Sequence, residues 1–246
     1  MSERAKFEIF SVIVLGLLMA LFQARVLRGQ SATPARRIHQ KAPGELSHAA
    51  SFKEYRTGLA LLHRQRPDSA TYYLKISVNN HPNYIPAYAN LGRAYIDMKQ
   101  YDNAKQILSH ALTLDSLNSD LWEVYGRLMQ SQHQYKYAIS AYNSAIASQD
   151  YNPYSRNNLA LIYINQHQYR KAITLLTEAI QQKNDVPFFF NNLGYAYEQL
   201  SEFNKATQAY KNALNLQQTY TKAQQNLNRV QQHLQNVSST YADKSS

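Results

Sequence analysis

Alanine recurs along this chain at a constant interval of 34 residues, at Ala70, Ala104, Ala138, Ala172 and Ala206. Small residues keep the same interval twelve positions earlier, at Gly58, Gly92, Gly126, Ala160 and Gly194. A fixed period of this length is typical of a repeat array, in which each unit buries its apolar side against the next. The sequence therefore predicts five copies of one structural unit.

Each unit contains two apolar patterns with helical spacing. When the small residue is counted as position 8, large apolar or aromatic residues fall at positions 4, 7 and 11, and further apolar residues at 20, 24 and 27. Positions 4, 7, 8 and 11 form one stripe of an amphipathic helix, and positions 20, 24 and 27 form another. The small residues at 8 and 20 let the two helices approach closely.

This pattern resembles the tetratricopeptide repeat, a helix-turn-helix unit of the same length. In that frame the repeats are 51–84, 85–118, 119–152, 153–186 and 187–220, which is 170 of the 246 residues without an insertion. The first repeat diverges, with Glu54, Thr57 and Ser77 where an aromatic residue, leucine and alanine are expected, and Arg156 at position 4 of the fourth repeat is a second departure. The resemblance implies an all-α solenoid, and the unbroken period favours one elongated array.

Breaks between units and an end cap are also visible. Asp115-Ser116, Asn152-Pro153 and Val186-Pro187 separate neighbouring units, and proline suits the first turn of a helix. Residues 221–236 continue a sparse apolar stripe in a glutamine-rich surround, which predicts a capping helix. We expect residues 237–246 to form a disordered tail.

An N-terminal apolar run predicts a membrane anchor or a signal segment over residues 1–28. The run itself is Ile9–Phe22, and residues 7–27 approach the roughly 30 Å thickness of the bilayer core. Cleavage sites of the A-x-A type are poor here, which favours a retained anchor over a removed signal peptide. Residues 29–50, rich in Gly, Pro, Ser and basic residues, predict a flexible linker.

The side of the membrane follows less directly from the sequence. Basic residues are more numerous after the apolar run than before it, which favours placing the repeats on the cytoplasmic face. A charged start followed by a short apolar run is also how export begins, so a periplasmic or secreted location stays open.

Composition narrows the function classes. The net charge is +10, but residues 1–66 carry +7 of it and the repeats are near neutral, which argues against nucleic-acid binding. The chain has no cysteine, no His-Glu-x-x-His and no phosphate-binding glycine loop. We expect no catalytic residues, no metal, no cofactor and no small-molecule substrate. His133 and His167, one period apart, are interpreted as surface turn residues.

The remaining candidate is a protein-binding face. The resemblance implies that the first helix of each repeat lines a concave groove with positions 2, 5, 9, 12 and 13, together with a row of asparagines at position 6. Amides can pair with the backbone of an extended chain. The predicted peptide-binding residues are Asn90, Arg93, Arg127, Asn157, Asn158, Asn191, Asn192 and Tyr195.

Two alternatives accompany this prediction. Asparagine at position 6 also occurs simply as part of the repeat, and Arg93 and Arg127 can instead form ion pairs with Asp97, Asp120 or Glu123. The lysine and asparagine of a carboxylate clamp are not present at positions 5 and 9.

The function that the sequence favours is a membrane-tethered, noncatalytic scaffold. An exported protein with the same groove, and an accessory subunit binding nucleic acid or glycan, are the alternatives.

Overall fold

The computed structural model describes residues 53–148 and 151–244, and every regular element in this part of the chain is an α-helix. The predicted all-α, helical-repeat fold is therefore confirmed for these residues. The helices are α1 (Lys53–His63), α2 (Pro67–Asn80), α3 (Ile85–Asp97), α4 (Tyr101–Leu114), α5 (Ser119–Ser131), α6 (Tyr135–Ala147), α7 (Pro153–Asn165), α8 (Tyr169–Gln182), α9 (Pro187–Gln199), α10 (Phe203–Leu216) and α11 (Thr221–Lys244). Consecutive helices from α1 to α10 form five hairpins, whose first members we call A helices and whose second members we call B helices.

The two helices of a hairpin touch where the sequence places its smallest side chain. A Cβ atom built on Gly126 would lie 2.5 Å from Cε1 of Tyr142, and one built on Gly194 would lie 2.7 Å from Cδ1 of Tyr210. Carbon atoms do not pack at these distances, so the rings can lie against the A helix only because no side chain is present. The small-residue register thus marks the closest approach within a hairpin, as the sequence predicts.

A second pairing within the hairpins links tyrosine to a polar partner. The Tyr142 hydroxyl donates to Oε1 of Gln130 at 2.8 Å, and the Tyr210 hydroxyl donates to Oε2 of Glu198 at 2.7 Å. Both acceptors stand at position 12 of their repeats. Repeats with leucine instead of tyrosine at position 24 carry leucine or isoleucine at position 12. A buried phenol requires an acceptor and an aliphatic side chain does not, which explains why the two positions change together.

Each hairpin turn contains one residue in the left-handed region of backbone conformation. These residues have φ values of 55–58° and recur at the repeat interval, at Gln65, Lys99, His133, His167 and Ser201. The following amide then reaches back five residues, as in the 2.8 Å bond from Gln100 N to the Tyr95 carbonyl. This is the Schellman arrangement that ends many α-helices. His133 and His167 are exposed in these turns, so their interpretation as surface turn residues is confirmed.

The described helices form two compact units, one with α1–α6 and the other with α7–α11. In the first unit the A helices lie next to one another in the order α1, α3, α5, and each B helix packs beside them. In the second unit α7, α9 and α11 form the corresponding row. Fully buried large side chains such as Trp122 and Tyr142 in the first unit, and Phe189 and Tyr210 in the second, show that each unit has its own core.

The ends of the helices follow the predicted breaks. α7 begins at Pro153, and the Asn152 side chain caps it by accepting the Ser155 N–H at 3.1 Å. α9 begins at Pro187. The last helix differs from the expectation, because α11 continues to Lys244 instead of ending near residue 236. No glycine or proline interrupts its sequence, so the chain offers no local reason to stop earlier.

The predicted anchor over residues 1–28 and the linker over residues 29–50 lie outside the described residues. Within residues 53–148 and 151–244, none of the helices combines the length and the apolar content needed to span a bilayer.

Candidate functional site

The A helices of the first unit carry an interconnected polar face, which we call the first polar face. Asn90 on α3 donates to the Tyr55 hydroxyl on α1 at 3.1 Å. On the other side of Asn90, Arg93 donates to its carbonyl oxygen Oδ1 at 3.3 Å. The same arginine bonds Oε2 of Glu123 on α5 at 3.1 Å. Side chains from three successive A helices are therefore tied together by Asn90 and Arg93.

Both arginines among the predicted peptide-binding residues are engaged in ion pairs. Arg93 pairs with Glu123, whose side chain is only 7% exposed, and Arg127 pairs with Asp97 at 3.5 Å. The alternative that these residues form ion pairs within the protein is thus confirmed. Charge is balanced along the first polar face, which lowers its attraction for an anionic partner.

The second unit carries a different arrangement, a chain of five carboxamides that we call the amide chain. Four hydrogen bonds run through it in one direction, each from an Nδ2 group to the next Oδ1 oxygen. Their distances are 3.0, 3.4, 2.8 and 3.2 Å. In that order the chain comprises Asn226, Asn191, Asn192, Asn157 and Asn158. It therefore connects the capping helix α11 to α9 and α9 to α7.

Two of the predicted peptide-binding residues are buried. Asn157 is 2% exposed and Asn191 is 1% exposed, and Glu123 at the same repeat position is 5% exposed. The resemblance implies that position 5 lines the groove, where it would meet solvent. An A helix in a stack has a second neighbour, the next A helix, and position 5 faces it. These side chains hold A helices together in the described structure, and the prediction that they bind peptide stays a prediction.

Asn192 is the best placed of the predicted amides to contact a ligand. It is half-buried, and it uses one N–H toward Asn157 and accepts one N–H from Asn191. A carboxamide has two N–H groups and two lone pairs, so these two bonds use half of its capacity. Asn158, at the end of the chain on α7, is half-buried as well.

Exposed aromatic side chains flank the amide chain. Tyr154 is 42% exposed, Phe188 is 39% exposed and Tyr195 is 36% exposed. Tyr154 lies one helical turn before Asn158, and Phe188 lies one turn before Asn192. The ring centroids of Tyr154 and Phe188 are 6.4 Å apart. Both rings stand at position 2, which the resemblance assigns to the groove side, but they are not among the predicted site residues. Only their exposure in the structure distinguishes them from the buried aromatic residues of the repeats.

Comparison with known families agrees with this architecture. The family model of the tetratricopeptide repeat matches residues 85–116 and 189–220, and a second model of the same repeat matches residues 154–181. These segments coincide with the hairpins α3–α4, α9–α10 and α7–α8. The chain is a tetratricopeptide repeat protein. No curated protein matches its sequence significantly.

Solved structures of other helical-repeat proteins share the fold. MamA is 23% identical, with 67% of this chain and 96% of MamA covered and a TM-score of 0.53. TTC0263, a tetratricopeptide repeat protein of Thermus thermophilus, is 16% identical over 72% of this chain and 96% of its own, with a TM-score of 0.63. The Cut9–Hcn1 hetero-tetramer gives a TM-score of 0.66 at 18% identity, over 76% of this chain and 38% of that one. At these identities the likeness concerns the repeat fold.

The last tetratricopeptide repeat is joined to the capping helix α11 by a half-buried carboxylate. Glu198 accepts two hydrogen bonds from Arg229 on α11, at 2.7 and 2.8 Å, and a third from Tyr210 at 2.7 Å. Burial, followed by the bond to Glu198, raises the pKa of the Tyr210 phenol well above its usual range. This paired arginine and carboxylate stabilise the end of the second unit next to the amide chain.

The titratable residues that the structure describes do not assemble a metal centre. Across residues 53–148 and 151–244, no group of three or more His, Asp or Glu side chains has the geometry to hold a metal ion. The histidine ring of His133 lies 3.2 Å from the Tyr135 hydroxyl, and that of His167 lies 2.7 Å from the Tyr169 hydroxyl. These two contacts repeat at the turns of neighbouring tetratricopeptide units and explain both histidines as local turn partners.

Proposed function

We propose that this tetratricopeptide repeat protein is a noncatalytic scaffold that binds an extended segment of a partner protein on the polar A-helix side of its second unit. The single observation that carries the proposal is the row of exposed aromatic rings beside the amide chain. Tyr154 and Phe188 offer two rings, and Asn158 and Asn192 offer amides one helical turn further along each helix. Apolar surface next to amides matches a polypeptide, which presents side chains and backbone together.

The spacing of the rings supports an extended ligand. Alternate residues of an extended chain, which point to the same side, are about 6.6 Å apart. The Tyr154 and Phe188 centroids are 6.4 Å apart, so two alternate side chains of the partner would each contact one ring. The backbone between them would then lie within reach of the Asn158 and Asn192 amides. The amides contact the backbone of the partner and not its side chains, so we expect the rings to determine which partner binds.

Site-specific crosslinking tests this surface. A photoreactive phenylalanine analogue at residue 188 is expected to capture a partner, whereas the same analogue at residue 72 serves as a matched control. Tyr72 is 64% exposed but lies on the B helix α2 of the first unit. Equal capture at both positions would show that exposure alone accounts for the product.

Substitution of the rings then measures their contribution. The double variant Tyr154→Ala with Phe188→Ala is expected to weaken binding of a synthetic peptide from the captured partner about tenfold or more, because exposed aromatic anchors dominate such interfaces. Tyr72→Ala is expected to leave the dissociation constant unchanged. Asn158→Ala with Asn192→Ala tests the amides, and unchanged affinity in that variant would remove them from the proposed site.

We further propose that residues 7–27 hold the scaffold at a membrane with the repeats on the cytoplasmic face. The support is the apolar run and the excess of basic residues after it. Carbonate extraction is expected to leave the full chain in the membrane pellet and to release a variant that lacks residues 1–28. Recovery of a shortened chain in the soluble envelope fraction would favour the exported, cleaved form instead. Protease accessibility of the repeats in sealed vesicles distinguishes the two faces.

A further inference from the structure

Each unit contains a cavity between one A helix and two B helices, away from the first polar face in the first unit and from the amide chain in the second. The first cavity, about 330 Å³, is formed by α2, α3 and α4, with Leu91 and Tyr95 in its wall. The second, about 290 Å³, is formed by α8, α9 and α10, with Leu193 and Tyr197 in its wall. Every residue that lines the first cavity has its counterpart, three repeat lengths later, among those that line the second. The two cavities are therefore the same place in the repeat.

A lysine lies over the same ring in both cavities but comes from different walls. Lys75 on α2 places its ammonium nitrogen 5.6 Å from the centroid of Tyr95. Lys205 on α10 places its nitrogen 5.4 Å from the centroid of Tyr197. The counterpart of Lys75 in the second cavity is Thr177, so the two lysines occupy different repeat positions. The shared feature is thus the cationic group above the ring rather than one repeat residue.

The third repeat shows which group fits this place. Its counterpart of Leu91 and Leu193 is Tyr125, which is only 4% exposed. A leucine leaves space in this three-helix frame, whereas the third repeat accommodates a phenol ring at the same position. Cavities of about 300 Å³ are at the small end for ligand sites, which suits one side chain better than a larger molecule.

The charge of the cavity walls indicates which chemical group accompanies that side chain in the partner. Each cavity has a lysine in its wall, and none of the residues lining either one is Asp or Glu. Asn103 and Gln106 in the first cavity, and Gln181 and Gln208 in the second, add amide donors and acceptors. A carboxylate next to an aromatic ring would complement the lysine while the ring occupies the apolar floor.

We propose that both cavities are binding sites for an aromatic side chain next to an acidic group in a partner polypeptide. The two sites differ in strength. Lys205 already pairs with Glu202 at 2.6 Å, so a ligand carboxylate competes with a neighbour in the second cavity. The first cavity therefore binds more tightly. These sites are separate from the proposed peptide-binding face, because they are lined by the packing stripe of α3 and α9 and by B helices.

Methyl NMR of the full chain tests the proposal with N-acetyl-phenylalanine as the probe. Saturable shifts are expected at the Leu91 and Ile107 methyl groups with a dissociation constant on the order of 1 mM, as for a ligand of this size. Weaker shifts are expected at Leu193 and Ile180. The neutral amide of the probe is the matched control and should bind less tightly at both places. Equal binding of the amide, or no saturable shift at these methyl groups, would overturn the proposal.

Filling the cavities with the residue that the third repeat uses gives the decisive variants. Leu193→Tyr is expected to abolish the Ile180 shift, since Ala209 in this wall already matches Ala141 of the third repeat. Leu91→Tyr with Ile107→Ala reproduces the same pair in the first cavity. Val78, a wall residue that this variant keeps, is expected to shift with the probe in the unsubstituted chain and not in the variant. Persistence of the shifts in folded, filled variants would also contradict the proposal. Lys75→Gln, which leaves the apolar wall intact, is expected to weaken the first site about two- to fivefold.

Discussion

The two units build the same hairpins but join their A helices by different means. In the first unit the joint between α3 and α5 is charged, with Arg93 bonded to Glu123 and Arg127 to Asp97, whereas Asn90 and Tyr55 form a neutral joint between α3 and α1. In the second unit neutral amides run in one direction from Asn226 to Asn158; they form the joint between α7 and α9 and share the joint between α9 and α11 with the Arg229–Glu198 ion pair. Ion pairs between partly exposed charges weaken with salt, whereas hydrogen bonds between neutral amides are not screened in this way. The repeat therefore brings neighbouring A helices into polar contact, and the residues of each pair of helices determine whether that contact is an ion pair or an amide hydrogen bond.

The exposed surfaces of the A helices also differ between the two units. The second unit adds Tyr154, Phe188 and Tyr195 beside its amides. In the first unit, Pro86 and Asp120 occupy the repeat position that Tyr154 and Phe188 occupy in the second unit. Exposed rings beside the half-buried amides of Asn158 and Asn192 suit a ligand, while paired charges suit structural cohesion. Five predictions test this difference between the units, ordered by the expected change in stability.

The largest effect is expected from Asn191→Ala in the middle of the amide chain. The substitution removes the acceptor of the buried Asn226 amide and the donor to Asn192. Two polar groups are then left without these partners, and the free energy of unfolding should fall by about 3 kcal/mol. Urea denaturation measures the change, with Asn215→Ala on the exposed side of α10 as a control expected to be neutral. A loss no larger than that of the control would mean that the amide chain does not join the helices.

The hairpin core is expected to respond equally in both units. Gly126→Ala and Gly194→Ala each place a methyl group against a tyrosine ring, and overpacking should cost about 2 kcal/mol despite the better helix propensity of alanine. Adding Tyr142→Leu to Gly126→Ala recreates the Ala160 and Leu176 pair of the fourth hairpin, and we expect it to recover part of the loss. Thermal denaturation of the single and double variants gives the coupling. Independent effects of the two changes would contradict a direct contact.

Alkaline pH should destabilise the first unit through Tyr125. Burial, with a smaller contribution from Tyr137, raises the pKa of Tyr125 to about 12. The unfolded phenol loses its proton near pH 10, so the folded state is favoured below pH 10 and loses this stability as the pH rises toward 12. The expected loss is about 1.4 kcal/mol at pH 11. Stability of Tyr125→Phe should fall less over this range, and an identical decline in the variant would place the alkaline transition elsewhere.

The charged joint is expected to be weaker than the amide joint and to depend on salt. Glu123→Gln removes the negative partner of Arg93, and the Arg93 side chain is 26% exposed. The substitution should lower the free energy of unfolding by about 1 kcal/mol at low ionic strength. The difference from the unsubstituted chain should shrink in about 1 M salt. The effect of Asn191→Ala should not change with salt. Equal salt dependence of the two variants would erase the distinction between the units.

The smallest effect is a stabilisation at the hairpin turns. Lys99→Gly in the first unit and Ser201→Gly in the second replace a residue that has φ near 58°. Glycine adopts this conformation without the clash of a Cβ atom, so each variant should gain about 0.5–1 kcal/mol. The melting temperature of each variant checks the gain. Opposite signs in the two units would show that the turns are not equivalent.

Much of the local structure was predictable because it depends on neighbours along the chain. The small residues at position 8 predicted the close approach that Gly126 and Gly194 make with Tyr142 and Tyr210. The prolines at 153 and 187 predicted helix starts. The ion pairs of Arg93 and Arg127 stood among the alternatives because opposite charges recur on facing helices. The five left-handed turn residues were missed, since four different residue types fill that position and no composition signal marks it.

The period, the two helices per repeat and the side on which they pack can all be derived from the order of residues, because each follows from spacing within a few helical turns. The burial of Asn157 and Asn191 and the exposure of Phe188 and Tyr154 emerge from the folded structure alone. It also showed that two repeats leave a cavity where a third has Tyr125. The reason is that a helix in a stack has neighbours on two sides, and one helical wheel shows only the contacts of a single hairpin.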